Sequence, residues 1–368
     1  MQVQPLKMAE DMIQTTNNNK LAMKIVVGKS KTQFSSWAFL YNSIDFCLRH
    51  NIEFNVFYCN WEESIERVEQ RFISYLLYKY HKIRISPAKL RSSGNTPLSD
   101  QIINLINSPE IQKELNYWKE HVTYITETNP TAIWKTVLAH VKKNGVLEYE
   151  DYKAYNELTN ETEIKQKVVG YTENNPNCIN LIFIDHISCC TTERGMTLKQ
   201  SIDKIVDYCV IFRNIYKVSS LIIQQQNTQG ESAQNIKINK IRPSKEGLAD
   251  STYTGNYANI LFGLFSPIKY DIETYGGYII KGGFGDNIRF LECVLNRDGA
   301  GSAGELLPLF FDGKVCWYHE LPDWRDLNSK EVLNKWYSLA KKYQAEKKQH
   351  LIPEGEKQKD LKFLNDLL

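Results

Sequence analysis

The stretch "VVGKSKTQFSSW", Val26 to Trp37, sets a glycine between two apolar segments and crowds lysines and hydroxyls behind it. That combination suits a phosphate. A phosphate cradle needs glycine for a tight turn, backbone N–H groups aimed inward at a helix start, a lysine reaching the β and γ phosphates, and a Ser or Thr for magnesium. In the pattern G-x-x-x-x-G-K-[ST], Gly28 takes the first position and Ser35 the last, with Ser36 beside it. Gln33 and Phe34 then stand where glycine and lysine belong, and Lys29 and Lys31 are the candidate substitute cations. The plain alternative is an ordinary glycine turn between a strand and a helix.

Four further residues stand where apolar runs stop. Glu62 follows "FNVFYCN", where a carboxylate can orient and deprotonate an attacking water. Asp185 ends "LIFID", a place from which to hold a magnesium shell. Gln225 ends "LIIQQQ", placed to report a γ-phosphate to the loop that follows, and Arg297 in "NRDG" is placed to reach a neighbouring subunit's nucleotide. Each has a structural alternative: a first-turn helix acid, a strand-end cap, a polar strand end, a hairpin charge. Four in order along a parallel sheet point instead to a nucleotide site, provided that Ser35 and Asp185 converge beside Glu62.

The elements that must position them are legible as alternating apolar runs and helical stripes. "MKIVV" is a strand stopped by Gly28, and "SSWAFLYNSIDFCL" is a buried helix. Phe54 to Asn60 is a second strand, followed by a helix carrying Ile65, Val68, Phe72, Ile73, Leu76 and Tyr80 at helical spacing. "VTYITETNP" gives a strand and "AIWKTVLAHVKKNG" a helix closed by basic residues and Gly145. "INLIFIDHI" is nearly continuously apolar, as a parallel strand covered on both faces should be. A helix with Ile202, Ile205, Cys209, Phe212 and Tyr216 on one face leads to "SSLIIQQQN", and strands follow at "NILFGLF", "RFLECVLN", "ELLPLFF" and "KVCWYH". The expected fold is α/β: a mostly parallel sheet flanked by helices with an antiparallel edge. The division expected is an arm at 1–22, a core at 23–322 with a polar, tyrosine-rich insertion at 149–177, and a helical tail at 323–368.

Composition narrows the classes. At 368 residues the chain suits one large α/β domain with appendages, and its 42% apolar and 24% charged residues are those of a soluble globular protein. No run of about 18 apolar residues exists to span a membrane, and "MQVQPLKMAEDMIQ" lacks the order of a secretory signal, so a cytoplasmic location is expected. The eight cysteines include no C-x-x-C, which suggests neither a zinc ribbon nor a disulfide framework. A net charge of +2 gives no global nucleic-acid signature, so any basic surface is local.

From about Met23 to His319 the ordered set resembles the RecA-type ATPase domain of the DnaB-like replicative helicases, phage-encoded forms included. "VFYCNWEES" is similar to the family's strand and "SLEMS" motif, with Glu62 on its glutamate and Arg71 on the arginine of the next helix. "KLRSSG" resembles the stretch that follows, "LIFIDHI" the Walker B strand, and "LIIQQQN" the "LSQLN" segment. "RPSKEGLADS" resembles "RPxLSDLRES", and "LNRDGAGSAG" resembles "KxRNGPTG", with Arg297 on its finger arginine. The resemblance implies ATP and Mg2+ as cofactors, a hexameric ring, 5′ to 3′ movement, and single-stranded DNA held by two channel loops. Those loops here carry Arg194 and Lys199, and Lys237, Lys240, Arg242 and Lys245. The last helix, "DLKFLNDLL", is a candidate docking piece for a replication partner. Two departures, Phe34 at the lysine position and Leu295 two before the finger, remove cations that would neutralise a transferring phosphate. They support an alternative, a catalytically degenerate RecA-like protein acting as a structural or regulatory DNA- or helicase-binding module. A RecA-like recombinase or KaiC-like ATPase is a third reading, disfavoured by the segments around Glu62 and Arg297.

Overall fold

The computed structural model describes residues 22–91, 97–156, 161–227, 241–297 and 306–351. Residues 1–21 of the expected arm, Lys237, Lys240 and the final "DLKFLNDLL" lie outside the described residues. Five apolar runs form the parallel part of one sheet: β1 (Met23–Gly28), β2 (Glu53–Asn60), β6 (Cys178–Asp185), β7 (Val218–Ile223) and β8 (Ile260–Phe265). A short β3 (Val122–Tyr124) extends it at one edge, so only the start of "VTYITETNP" is strand. β11 (Ile288–Asn296), β12 (Leu306–Asp312) and β13 (Trp317–Glu320) add the antiparallel edge. The order is β13-β12-β11-β8-β1-β7-β6-β2-β3, which puts β1 at the centre.

Strand alternation divides the interior into two layers. Val26, Val56, Tyr58, Leu181 and Phe183 face one side, while Ile25, Val27, Phe57, Ile182 and Ile184 face the other. The first layer is covered by α1 (Lys31–Ser35), a π-helical turn (Ser36–Tyr41), α2 (Asn42–His50) and α3 (Ile65–His81). A one-turn α4 (Pro87–Leu90), then α5 (Asp100–Ile106) and α6 (Pro109–His121), fill the interval before β3. Tyr41, Phe72 and Trp118 stack there with ring centroids 4.8 and 4.7 Å apart. The second layer is covered by α7 (Pro130–Lys143) and α8 (Leu198–Tyr216), which opens on a capping box between Thr197 and Gln200.

Among the described residues four pieces lie outside this sandwich. Among the described residues β4 (Gly145–Asn156) and β5 (Glu161–Glu173) pair only with each other, so the tyrosine-rich stretch is an antiparallel hairpin. A one-turn α9 (Tyr253–Tyr257) precedes β8, and β9 (Thr274–Tyr275) and β10 (Tyr278–Ile279) make a small second hairpin. The tail is α10 (Lys330–Leu351), whose Ala340 and Tyr343 close a third cluster against Phe284 and Phe310. Among the described residues no helix is long and apolar enough to cross a membrane.

Candidate nucleotide site at the strand ends

The carboxyl ends of β1, β2, β6 and β7 lie side by side, and the chemistry gathers there, as ligands do in open α/β sheets. Gly28 closes β1 with φ +106°, and a Cβ added to it would stand 2.0 Å from the Leu264 carbonyl oxygen of β8. Only glycine fits. Lys29 N–H donates to that same oxygen at 3.2 Å, and Ser30 turns the chain through a left-handed conformation, φ 64°. The Ser30 carbonyl then accepts from Phe34 N–H at 3.0 Å, so the helix begins at Lys31.

This early start shifts the register of the loop. Lys31 and Thr32 occupy the first helical turn, three residues nearer to Gly28 than the lysine and hydroxyl of the long pattern. Thr32 Oγ1 donates to Asp185 Oδ1 at 3.0 Å. Ser35, the expected magnesium ligand, does not converge on Asp185. It lies three residues on, about 4.5 Å further along the helix axis, fully buried, with an Oγ that meets no hydrogen-bond partner among the described residues. Ser36 is fully buried as well. Phe34 is a core residue rather than a displaced lysine, with ring centroids 5.5 Å from Tyr318 and 6.2 Å from Trp37. Phe34→Lys, which restores the motif on paper, is therefore expected to destabilise the chain by about 3 kcal/mol or more in urea unfolding and to restore nothing. Unchanged stability together with raised ATP hydrolysis in that variant would return the register to Ser35.

Asp185 is only 2% exposed. Burial pushes its carboxyl up from 3.8 to about 7; the Thr32 bond, Arg71 and Lys31 pull it down, and Glu62 pushes it up. The folded chain thus holds this proton more tightly than the unfolded chain, so the stability it contributes is present below about pH 4 and lost by about pH 7. Asp185→Asn in EDTA is expected to stabilise the protein by roughly 1 to 3 kcal/mol at pH 8, a gain that vanishes toward pH 4. Thermal melts at the two pH values check it; a variant less stable than wild type at pH 8 would contradict it.

Glu62 stands 47% exposed in the turn after β2, which Trp61 N–H ties to the Asp185 carbonyl at 3.1 Å. Its Oε2 lies 3.7 Å from His186 Nε2. The same nitrogen is 3.1 Å from Gln225 Nε2 and 3.4 Å from Cys189 Sγ. Burial pulls the His186 pKa down, while the Glu62 carboxylate pulls it up. Glu62, Asp185 and Gln225 therefore meet at one place, linked by a histidine. Lys31 shares their field, since it acts on Asp185, His186 and Cys189. Lys29 turns the other way, with Nζ 3.8 Å from Asp286 Oδ1.

Arg297 lies at the far end of the sheet. Its N–H donates to the Asn259 carbonyl at 2.9 Å, at the start of β8, six residues along β11 from the Leu291 that pairs with Leu264. Six residues of strand span roughly 20 Å. Arg297 cannot reach its own phosphate loop. Among the expected DNA contacts, Arg194 is exposed, Lys199 Nζ bonds Asp203 at 2.6 Å, Arg242 lies 5.3 Å from the Tyr275 ring, and Lys245 sits in the turn before Leu248.

Thr32 and His186 escape a reading by template. The sequence signal for the first is the lysine and threonine directly behind "GKS", visible once loop length is left free. His186 has no such signal, because its partners come from three separate strands.

The site can hold a magnesium ion and a phosphate: a hydroxyl and a buried carboxylate in contact, a lysine at a helix start, and an exposed carboxylate beside them. Arg289, buried behind the loop, bonds Ser30 Oγ at 3.3 and 3.2 Å and fixes the left-handed turn. No family model and no curated protein sequence matches the chain. Among solved structures it is similar to one described as an ATPase domain, at 15% identity and TM-score 0.56, over 83% of this chain and 86% of that one. It is also similar to a DnaB-like replicative helicase described with its interactions with primase, at 13% identity and TM-score 0.54. That match covers 81% of this chain and 58% of the other. Sheet and neighbours together identify the fold as the RecA-like one of the ATPase domains of DnaB-like helicases.

Proposed function

We propose that the chain is a DnaB-like, ATP-driven helicase motor that assembles as a ring and moves along single-stranded DNA. The observation that carries this is the contact between Thr32 and Asp185 at the foot of a glycine turn, with Glu62 beside it. Bound ATP with Mg2+ supplies the phosphoryl chemistry. The residues of the chain do the rest. Thr32 and Asp185 hold the metal, Lys31 neutralises phosphate charge, and Glu62 orients and takes a proton from the attacking water. Gln225 and His186 connect that carboxylate to the segment after β7, where Arg242 and Lys245 face a nucleic-acid backbone. Arg297 completes the site of the next subunit.

A second reading, a RecA-like binding module without turnover, is favoured by the short loop, which offers fewer backbone N–H donors to a phosphate, and by Leu295. The test is magnesium-dependent ATP hydrolysis by the purified full chain, with and without single-stranded DNA. DNA-stimulated turnover is expected. A folded, assembled protein that binds nucleotide and never hydrolyses it would leave the second reading standing.

A further inference from the structure

The Glu62 side chain is half exposed, and its one ion contact among the described residues is His186 Nε2, at 3.7 Å. Its place beside Asp185 is therefore set by the backbone that carries it, and that backbone is tied down on both sides. Before it, Trp61 N–H donates to the Asp185 carbonyl at 3.1 Å, and the Trp61 indole N–H donates to the Ile125 carbonyl at 3.2 Å. After it, the Glu63 carbonyl accepts from Asn60 Nδ2 at 2.7 Å, which closes the turn, and the Glu63 carboxylate accepts from Arg71 Nη2. Ser64 then caps α3 by accepting from Arg67 N–H. Glu62 lies between fixed neighbours, so a shift at Glu63 moves it.

The Arg71–Glu63 pair is costly to keep. The Arg71 side chain is 7% exposed and that of Glu63 17%. Arg71 Nη1 meets no acceptor among the described residues, and the Tyr41 and Tyr58 hydroxyls that share its field are unpartnered there too. A buried ion pair recovers little beyond its desolvation cost, and apolar side chains of like volume often serve stability as well or better. Stability alone does not account for the pair. Glu63 also stands at the methionine of the "SLEMS" segment that "NWEES" resembles, so the resemblance does not supply this carboxylate. Both acids of the site refer to the one guanidinium: it bonds the residue after Glu62, and its charge opposes the burial that pushes the Asp185 carboxyl up.

We propose that Arg71 is a positioning residue for hydrolysis: through Glu63 it fixes the turn after β2, and so holds the Glu62 carboxylate where it can take a proton from the attacking water. The proposal rests on the motor reading, in which Glu62 is the base. Arg71 acts through the turn and not on the reacting atoms. An arginine suits this task because its planar fork fixes direction as well as distance, which the single ammonium of a lysine does not. A reacting group misplaced by about 1 Å costs roughly a hundredfold in rate.

The experiment is DNA-stimulated ATP hydrolysis by the full chain, with equilibrium binding of a labelled ATP analogue, in the double variant Glu63→Met, Arg71→Met, in Glu63→Gln and in Arg71→Lys. The double variant removes both charges, so its thermal midpoint is expected to equal or exceed that of the wild type. Its kcat is expected to fall roughly tenfold or more, with nucleotide affinity and magnesium dependence within about twofold of the wild type. Glu63→Gln keeps an acceptor for the guanidinium and is expected to lose less. Arg71→Lys keeps the charge without the fork, is expected to lose kcat at unchanged affinity, and decides the matter if the double variant unfolds. Wild-type kcat in the folded double variant, or in Arg71→Lys where the double variant unfolds, overturns the positioning role and leaves the motor standing. Equal losses of kcat and nucleotide affinity overturn it in favour of a brace for the fold. A wild-type chain without turnover overturns both the motor and the role of Arg71.

Discussion

Lys31→Ala is expected to lower magnesium-dependent ATP hydrolysis by roughly a hundredfold or more, while Ser35→Ala leaves it within about twofold of the wild type. The two variants separate two registers of one loop. In the eight-residue pattern Ser35 carries the metal and Lys31 is an incidental loop residue. In the folded chain Lys31 and Thr32 form the first helical turn, and Thr32 touches Asp185. A positioned cation beside transferring phosphate acts in a partly dry site, where removing one such donor costs about 3 to 4 kcal/mol of transition-state stabilisation. Ser35 Oγ is buried and makes no hydrogen bond among the described residues, so truncation to alanine removes a desolvated polar atom and is expected to cost catalysis nothing. Glu62→Gln is expected to match Lys31→Ala in lost turnover while keeping nucleotide affinity, because it removes the base and leaves the phosphate contacts. Steady-state hydrolysis and equilibrium binding of a labelled nucleotide check all three. An inactive Ser35→Ala beside an active Lys31→Ala would show that the loop rebuilds itself around nucleotide.

The parallel strands are readable because a strand covered on both faces must be apolar throughout, and "LIFID" and "MKIVV" are nearly so. Asp185, Glu62 and Gln225 are readable for the converse reason: a polar residue at or just after the end of such a run is placed at the carboxyl end of its strand. Polarity hides α5 and α6. Glu114 of α6 is buried, its carboxylate bonded to Lys79 at 2.5 Å, and no hydrophobic count expects a buried glutamate. The loop escapes a template because a template fixes its length, whereas helix phase decides which side chains face the strand ends. One turn of α1 separates Thr32, at the site, from Ser35, in the core, and packing of Phe34 against Tyr318 sets that phase. The hairpin is legible as polar and tyrosine-rich but not as a ribbon. Its apolar residues alternate on strands that have no sheet to face.

Arg297→Ala is expected to reduce DNA-stimulated hydrolysis by roughly a thousandfold, as removal of an arginine finger does, and the loss is expected to be repaired in part by mixing. Arg297 is fixed to Asn259 at the amino end of the sheet, roughly 20 Å from Gly28 by strand length, with the sheet itself between them. If it acts on a nucleotide at all, that nucleotide belongs to another subunit. A chain carrying Arg297→Ala has an intact loop, Asp185 and Glu62; a chain carrying Glu62→Gln has an intact Arg297. Each pure protein is expected to be inactive. In a mixed ring, a neighbour pair with Glu62 on one side and Arg297 on the other restores one complete site. For random mixing at equal amounts a quarter of the interfaces are complete, so recovery is expected to reach about a quarter of wild-type turnover. Hydrolysis measured across mixing ratios reads this directly. A peak at equal amounts establishes action between subunits, whereas a flat, inactive series with intact assembly removes Arg297 from the site and leaves the short phosphate loop without its second cation.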